Sequence, residues 1–190
     1  KFLDACAAPG GKAFQLLSKN LEVTLNDKSK RRIQVLKSNL NRLKFNPTIL
    51  NRDFMNFDKN EKFDFIIIDA PCSAIGTIRK NPEIFFKSKI PDFDGLNNLQ
   101  QNMLEKAALL LNVGGNILYM TCSFIKNETF DQINKFLRNN NNFLIDNFIL
   151  TEENHKFSKL VKNNLMITIP DKILNNNIDG YFAANLKKIK

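Results

Sequence analysis

Residues 63–69 read Phe-Asp-Phe-Ile-Ile-Ile-Asp, a short run that is almost wholly apolar and ends on an acid. A segment with one side in water alternates in polarity, whereas a run this short without alternation reads as a strand buried on both faces. Such a strand needs a sheet with helices packed on either side. The rest of the chain repeats the pattern. Apolar runs at Phe2–Ala5, Glu22–Leu25, Thr48–Leu50, Asn116–Thr121 and Phe143–Leu150 alternate with amphipathic stretches at Ala13–Lys19, Lys28–Leu43, Leu96–Leu111 and Glu128–Asn139. That alternation implies right-handed crossovers and an α/β, doubly wound, mostly parallel sheet. Gly114-Gly115 is expected to end the third helix. Asn139–Asn142 and Asn175–Asn177 are expected to be loops, and Gly180–Leu186 an antiparallel closing strand. Residues 151–177 offer little pattern.

The 190 residues, 43% of them apolar, suit one globular domain with one substantial core. No apolar run reaches the roughly 18 residues of a membrane span, so a cytoplasmic protein with no membrane partner is expected. Lys1-Phe2-Leu3-Asp4 already reads as the end of a buried strand, with no initiator Met. An N-terminal portion is therefore expected to precede it. The net charge of +9 suits a polyanion such as nucleic acid, although AT-rich coding also yields a chain rich in Lys, Asn, Ile and Phe. Cys6, Cys72 and Cys122 are odd in number and far apart, which argues against a disulfide framework. With no Cys-x-x-Cys and a single His155, no structural zinc is expected. The thiols are either buried or reactive.

In a doubly wound sheet, ligands bind beyond the carboxyl ends of the strands, and four motifs fall there. Asp4-Ala5-Cys6-Ala7-Ala8-Pro9-Gly10-Gly11-Lys12 follows the first strand. Its small residues and paired glycines permit a tight turn and close approach of the backbone to a ligand. It is neither Gly-x-Gly-x-x-Gly nor a Walker loop. Asp27 follows the second strand, where an acid can accept ribose hydroxyls or cap the next helix. Asp53 follows the third and is placed to meet an adenine edge. Asp69-Ala70-Pro71-Cys72-Ser73 ends the most buried strand, and Tyr119-Met120-Thr121-Cys122-Ser123 ends the next. A lone free cysteine is usually a small buried hydrophobe. Two at neighbouring strand tips beside a carboxylate are an unusual pair.

These residues resemble the RNA 5-methylcytosine methyltransferase family. The glycine loop at 4–12, Asp69–Ser73 with Gly76 and Arg79 after it, Thr121-Cys122-Ser123 and Asp179-Gly180-Tyr181-Phe182 match its signatures. The resemblance covers about residues 1–150 and 178–188. It implies a class I methyltransferase, Rossmann-like, with a seven-stranded sheet, and S-adenosyl-L-methionine as cofactor. By it, Cys6, Ala7, Ala8, Pro9, Gly10, Gly11, Lys12, Asp27, Asp53 and Asp69 line the methyl-donor site. Cys122 matches the nucleophile and Cys72 the cysteine that helps release product, and Asp69 also activates the substrate base. The implied partner is RNA, with 16S ribosomal RNA as the first expectation, transfer RNA as the alternative and a monomeric enzyme. A non-catalytic RNA-binding module on the same fold is the alternative of another class. Ala13 stands where the family often has Thr, residues 151–177 match nothing in it, and its N-terminal RNA-binding region is missing from this chain.

The chemistry explains the residue types. Carbon 5 of cytosine is a poor nucleophile until a thiolate adds at carbon 6 and turns the ring into an enamine. The attacking thiol therefore needs a pKa below its free value of about 8.5. A cationic cofactor and nearby Arg79, Lys80 or Lys12 are expected to lower it.

Overall fold

In the computed structural model, which describes residues 1–86, 90–173 and 176–190, strands and helices alternate as far as Ile145, save that only the 3-10 turn Phe54–Asn56 separates the third and fourth strands. The order is β1 (Phe2–Asp4), α1 (Gly11–Leu17), β2 (Val23–Asn26), α2 (Lys30–Leu43), β3 (Ile49–Leu50) and β4 (Phe63–Asp69). It continues with α3 (Phe93–Leu110), β5 (Leu111–Thr121), α4 (Phe130–Asn139) and β6 (Phe143–Ile145). After these come β7 (Val161–Lys162), β8 (Leu165–Thr168), β9 (Asp171–Ile173), β10 (Asn176–Ile178) and β11 (Tyr181–Lys188). The main sheet runs β3-β2-β1-β4-β5-β11-β8-β7. Its first four pairings are parallel, and β11 lies antiparallel to β5.

Side-chain alternation along the strands sorts the apolar residues into two cores. Leu3, Ile66 and Ile68 face Met103, Leu104 and Ala107 of α3 and Ile133 and Phe136 of α4. Val23 and Leu25 face the other way, onto Ala13 of α1 and Ile33, Leu36 and Leu40 of α2. The α2 residues repeat at i, i+3 and i+7, one stripe of a helix. Ser29 caps that helix by accepting from Arg32 N at 3.3 Å. Strand order reverses between β1 and β4, which puts the ligand crevice at the tips of those strands.

The sheet has nine strands where seven were expected, because residues 161–168 add the β7–β8 hairpin. That hairpin also shortens β6, which stops at Ile145 and not at Leu150. Leu186–Lys188 of β11 pair with β6, but Tyr181–Ala184 on the same edge are taken by β8. Gly114-Gly115 does not end α3. The helix passes into strand at Leu111, and the glycines sit in an irregular stretch of β5 between its pairings at Leu111 and Asn116. Gly114 has φ +81°, and a Cβ on Gly115 would lie 2.6 Å from the Asp64 carbonyl oxygen. Of the expected Asn175–Asn177 loop, Asn175 lies outside the described residues, and Asn176 and Asn177 are in β10. Among the described residues no helix is long and apolar enough to cross a membrane.

Phe182 anchors the antiparallel half of the sheet. It is fully buried and meets Phe130 and Tyr119 edge-on, with ring centroids 5.2 and 6.4 Å away. Phe182→Ala should cost about 3–5 kcal/mol and lower Tm by roughly 10 °C. Phe86→Ala, at an exposed position, should leave Tm within about 2 °C. Calorimetric melting of both variants checks this, and equal losses would contradict the assigned core.

Candidate active site

The loop after β1 turns through a cis Ala8–Pro9 bond and Gly10 at φ +117°, then enters α1. A Cβ on Gly10 would strike the Phe14 ring, whereas one on Gly11 would meet nothing within 4 Å. The first glycine therefore makes the turn, and the second leaves open space before the helix. Two clefts adjoin this loop and share Cys6. One, of about 470 Å³, is lined by Asp4, Ala7, Ala8, Pro9, Lys12, Asp69 and Tyr181. The other, of about 340 Å³, combines Asn26, Asp27 and Asp53 with apolar walls from Phe54, Met55, Leu99 and Met103. Of the residues expected around a methyl donor, Cys6, Ala7, Ala8, Pro9, Gly11, Lys12 and Asp69 line the first cleft and Cys6, Asp27 and Asp53 the second, while Gly10 lines neither.

Asp27 is buried. Its Oδ1 accepts from Ser29 N at 2.9 Å, and its Oδ2 lies 3.4 Å from the Arg32 guanidinium, which also donates to the Ala8 carbonyl. Ser29, not Asp27, is the helix cap, so the acid is braced at the cleft wall. Asp53 accepts from Met55 N at 3.0 Å and Lys28 Nζ at 3.3 Å, which hold its carboxyl below its ordinary value. Burial pushes the Asp4 carboxyl up to about 7, despite a hydrogen bond from Cys6 N. Burial, reinforced by Asp4, Asp27 and Asp69, pushes the Cys6 thiol up to about 12. Cys6 is therefore not a thiolate at neutral pH. Lys12 Nζ donates to Asp69 Oδ2 at 2.5 Å. Desolvation pulls the lysine down, but the Asp69 hydrogen bond and charge outweigh it and the net shift is upward.

Cys72 and Cys122 meet at the tips of β4 and β5, with sulfur atoms 3.2 Å apart. Either thiol can donate in this contact. This hydrogen bond raises Cys72 and lowers Cys122, outweighing the opposing effects of burial and the Asp69 charge on Cys122. The nearby charge of Lys12 lowers Cys122 further. The expected role of Arg79 and Lys80 is corrected. Both are held by buried Asp179, at 3.0 and 2.7 Å, and the main acidifying group on Cys122 is the second thiol.

A group that sequence reading passed over fixes the Cys72 loop. Glu128 is fully buried. Its carboxylate accepts from Ser73 N at 2.7 Å, Ser73 Oγ at 2.6 Å and Gln100 Nε2 at 3.4 Å. Gln100 also donates to the Pro71 carbonyl at 2.9 Å, and Tyr119 to the Glu128 carbonyl at 3.0 Å. A signal for Gln100 was available, because it falls in register with Met103, Leu104 and Ala107 on the apolar stripe of α3. Opposite, Gly76 N donates to the Cys122 carbonyl at 3.0 Å and Gly180 N to the Gly76 carbonyl at 2.7 Å. A Cβ on Gly76 would lie 2.0 Å from the Gly180 carbonyl oxygen, so only glycine fits this crossing. Among the described residues, no group of three or more His, Cys, Asp or Glu could hold a metal ion.

The two thiols should titrate in the order Cys122 before Cys72. Alkylation by iodoacetamide, followed peptide by peptide in mass spectra, should give Cys122 a rate–pH midpoint below that of an ordinary cysteine. Cys72→Ala removes the donor to the thiolate, so the Cys122 midpoint should move to higher pH. A midpoint unmoved by that substitution would contradict the hydrogen-bond assignment.

Residues 1–187 match the family model of the 16S rRNA methyltransferase RsmB/F. The chain is 34% identical over 191 residues to the ribosomal RNA small subunit methyltransferase B of Shewanella oneidensis, covering 98% of this chain and 42% of that protein. It is 34% identical over 193 residues to the same enzyme of Photorhabdus laumondii, covering 99% and 42%. It therefore spans less than half the length of these curated relatives. Among solved structures, NSun6 from Pyrococcus horikoshii with SFG superposes with a TM-score of 0.79 at 26% identity, covering all of this chain and 48% of that one. The architecture is thus the Rossmann-like class I methyltransferase fold. By its sequence match and its fold, the chain belongs to the 16S rRNA methyltransferase RsmB/F family.

Proposed function

We propose that this chain is the catalytic domain that methylates carbon 5 of a cytosine in RNA, with 16S ribosomal RNA as target, using S-adenosylmethionine and a covalent Cys122 adduct. The observation that carries the reading is the sulfur–sulfur contact of 3.2 Å between Cys72 and Cys122 at the tips of neighbouring strands, next to the charged groups of Asp69 and Lys12. The alternative of a transfer RNA target uses the same chemistry and differs only in what delivers the base.

The clefts fit the methyl donor. Asp27 can accept ribose hydroxyls, the Phe54, Met55, Leu99 and Met103 walls can hold an adenine ring, and Asp53 borders its edge. Asp4, Asp69 and Lys12 offer charge partners for an amino-acid end and a cationic sulfur. The likeness to a structure holding SFG, an analogue of S-adenosylmethionine, supports the same choice. When bound, the donor supplies an electrophilic methyl group.

The chain's own groups do the rest. The Cys122 thiolate adds to carbon 6, forming a carbon–sulfur bond and moving the ring electrons to carbon 5. Asp69 accepts a hydrogen bond from the exocyclic amine, which orients the ring for attack at carbon 6. After methylation a base takes the carbon 5 proton, the double bond re-forms, and the carbon–sulfur bond breaks. Cys72, 3.2 Å from the departing sulfur, gives the emerging thiolate a hydrogen bond. The target base reaches the thiols unpaired, by flipping or from a single strand.

Trapping tests the division of labour. Cys122→Ala should lose methyl transfer, keep donor binding by calorimetry, and form no protein–RNA adduct. Cys72→Ala should accumulate an adduct that survives denaturing gel electrophoresis. The reverse pattern would mean the roles are exchanged. Full activity in both variants would sink the covalent mechanism, and a wild type that binds RNA and donor without transfer would favour the non-catalytic module.

A further inference from the structure

The positive charge of the chain is not spread evenly. Residues 27–53 hold eight Lys and Arg against two Asp, a net +6 out of the chain's +9. A coding bias toward Lys and Asn does not explain this, because four of the six arginines fall in the segment and only two of the 19 acids do. Three of the eight cations are engaged, Lys28 by Asp53, Arg32 by Asp27 and Arg52 by Glu61. The other five are Lys30, Arg31, Lys37, Arg42 and Lys44. All are exposed, and among the described residues none of them takes part in an ion pair.

These five belong to α2 and its C-cap, and the helix contains no acid of its own. Ile33, Leu36 and Leu40 turn to the sheet, so the cations occupy the water side. Lys30 and Lys37 lie seven residues apart, two turns or about 10.5 Å along the axis, and Lys44 stands at the helix end. Arg31 and Arg42, eleven residues apart, share one line of the helix. Glu22 shares a groove with Phe45 and Asn46 at that end, and counting it still leaves four positive charges uncompensated. Helix stability does not call for the pattern. Lys30, Arg31 and Arg32 open α2, where positive charge opposes the macrodipole, and no acid stands in that first turn. The face is complementary to an anion from outside the chain.

We propose that the exposed face of α2 holds the phosphate backbone of the substrate RNA beyond the target base. The inference rests on the RNA reading above. The helix starts at the candidate site, because Lys28, Ser29 and Arg32 line the cleft of Asp27 and Asp53. From there its 14 residues run about 20 Å. A strand whose cytosine enters the site can continue along the row of cations, and each phosphate it sets against one releases counterions. A membrane surface fits this helix less well. A helix that lies on lipid inserts an apolar face, and the apolar face of α2 is already spent on the core.

The test measures how the affinity of the intact protein for a short single-stranded RNA containing one cytosine depends on salt. One variant carries Gln at positions 30, 31, 37, 42 and 44, which removes five charges and keeps helix propensity. A second carries Gln in place of five other exposed lysines, Lys59, Lys62, Lys135, Lys162 and Lys190. The slope of log affinity against log salt should become shallower by about 3 in the α2 variant and by less than about 1 in the other. Donor affinity by calorimetry should be unchanged in both, and Tm should not fall. Equal losses of slope would mean that net charge alone attracts RNA, which overturns the proposal. So would an unchanged slope in the α2 variant that instead loses binding to phosphatidylcholine vesicles containing phosphatidylserine. An unchanged slope in an α2 variant that still methylates RNA overturns this surface and leaves the enzyme reading intact. A shallower slope in a protein whose wild type transfers no methyl group overturns the enzyme reading and leaves the surface.

Discussion

The sulfur atoms of Cys72 and Cys122 touch because β4 and β5 run parallel with Asp69 opposite Met120, and the pairing continues past the strand through Ala70 N to the Met120 carbonyl at 2.9 Å. Register alone does not hold a loop sulfur in place. The buried Glu128 carboxylate grips Ser73 on one side of Cys72, and Gly76 grips the Cys122 backbone on the other. A carboxylate taken out of water costs several kcal/mol unless its oxygens find donors, and Glu128 finds them in Ser73 and Gln100. The same desolvation acts on the thiols. A partly buried thiolate needs a donor, and the nearest is the other thiol, so acidity moves from Cys72 to Cys122.

The two clefts beside Cys6 follow the same logic on a larger scale. Burial raises Asp4 to about 7 and Cys6 to about 12, and the charges of Asp69 and Asp27 add to both shifts. Lys12 relieves part of this by pairing with Asp69, and Arg32 by standing against Asp27. With Asp69 and Asp27 each set against a cation, Asp4 is the acid of these clefts whose charge changes near neutral pH.

Much of this was legible in the sequence. The unalternating run at 63–69 identified the central strand, and small residues and glycines at 5–11 identified the turn, because both signals arise from local sterics and burial. Three features were not legible. Gly114-Gly115 has the composition of a helix stop, yet its role is set by how closely β4 approaches, which is a tertiary fact. The length of β6 depends on competition with β8 for one edge of β11, and no local pattern carries that. The acidifying partner of Cys122 was expected among the cations, but Asp179, 100 residues from Arg79 in sequence, had already engaged two of them. Glu128 read as the opening residue of a helix, since nothing local shows that its side chain turns inward to Ser73.

The central claim is chemical, that methylation occurs at a ring carbon activated by a thiolate. Release of tritium from RNA labelled at carbon 5 of cytosine measures this directly, because only replacement of that hydrogen sends the label into water. Carbon 5 methylation by the intact protein requires one tritium released for each methyl group transferred. Methyl transfer without tritium release would place the methyl on nitrogen or ribose oxygen, and the Cys72–Cys122 contact would then have no part in activating the ring.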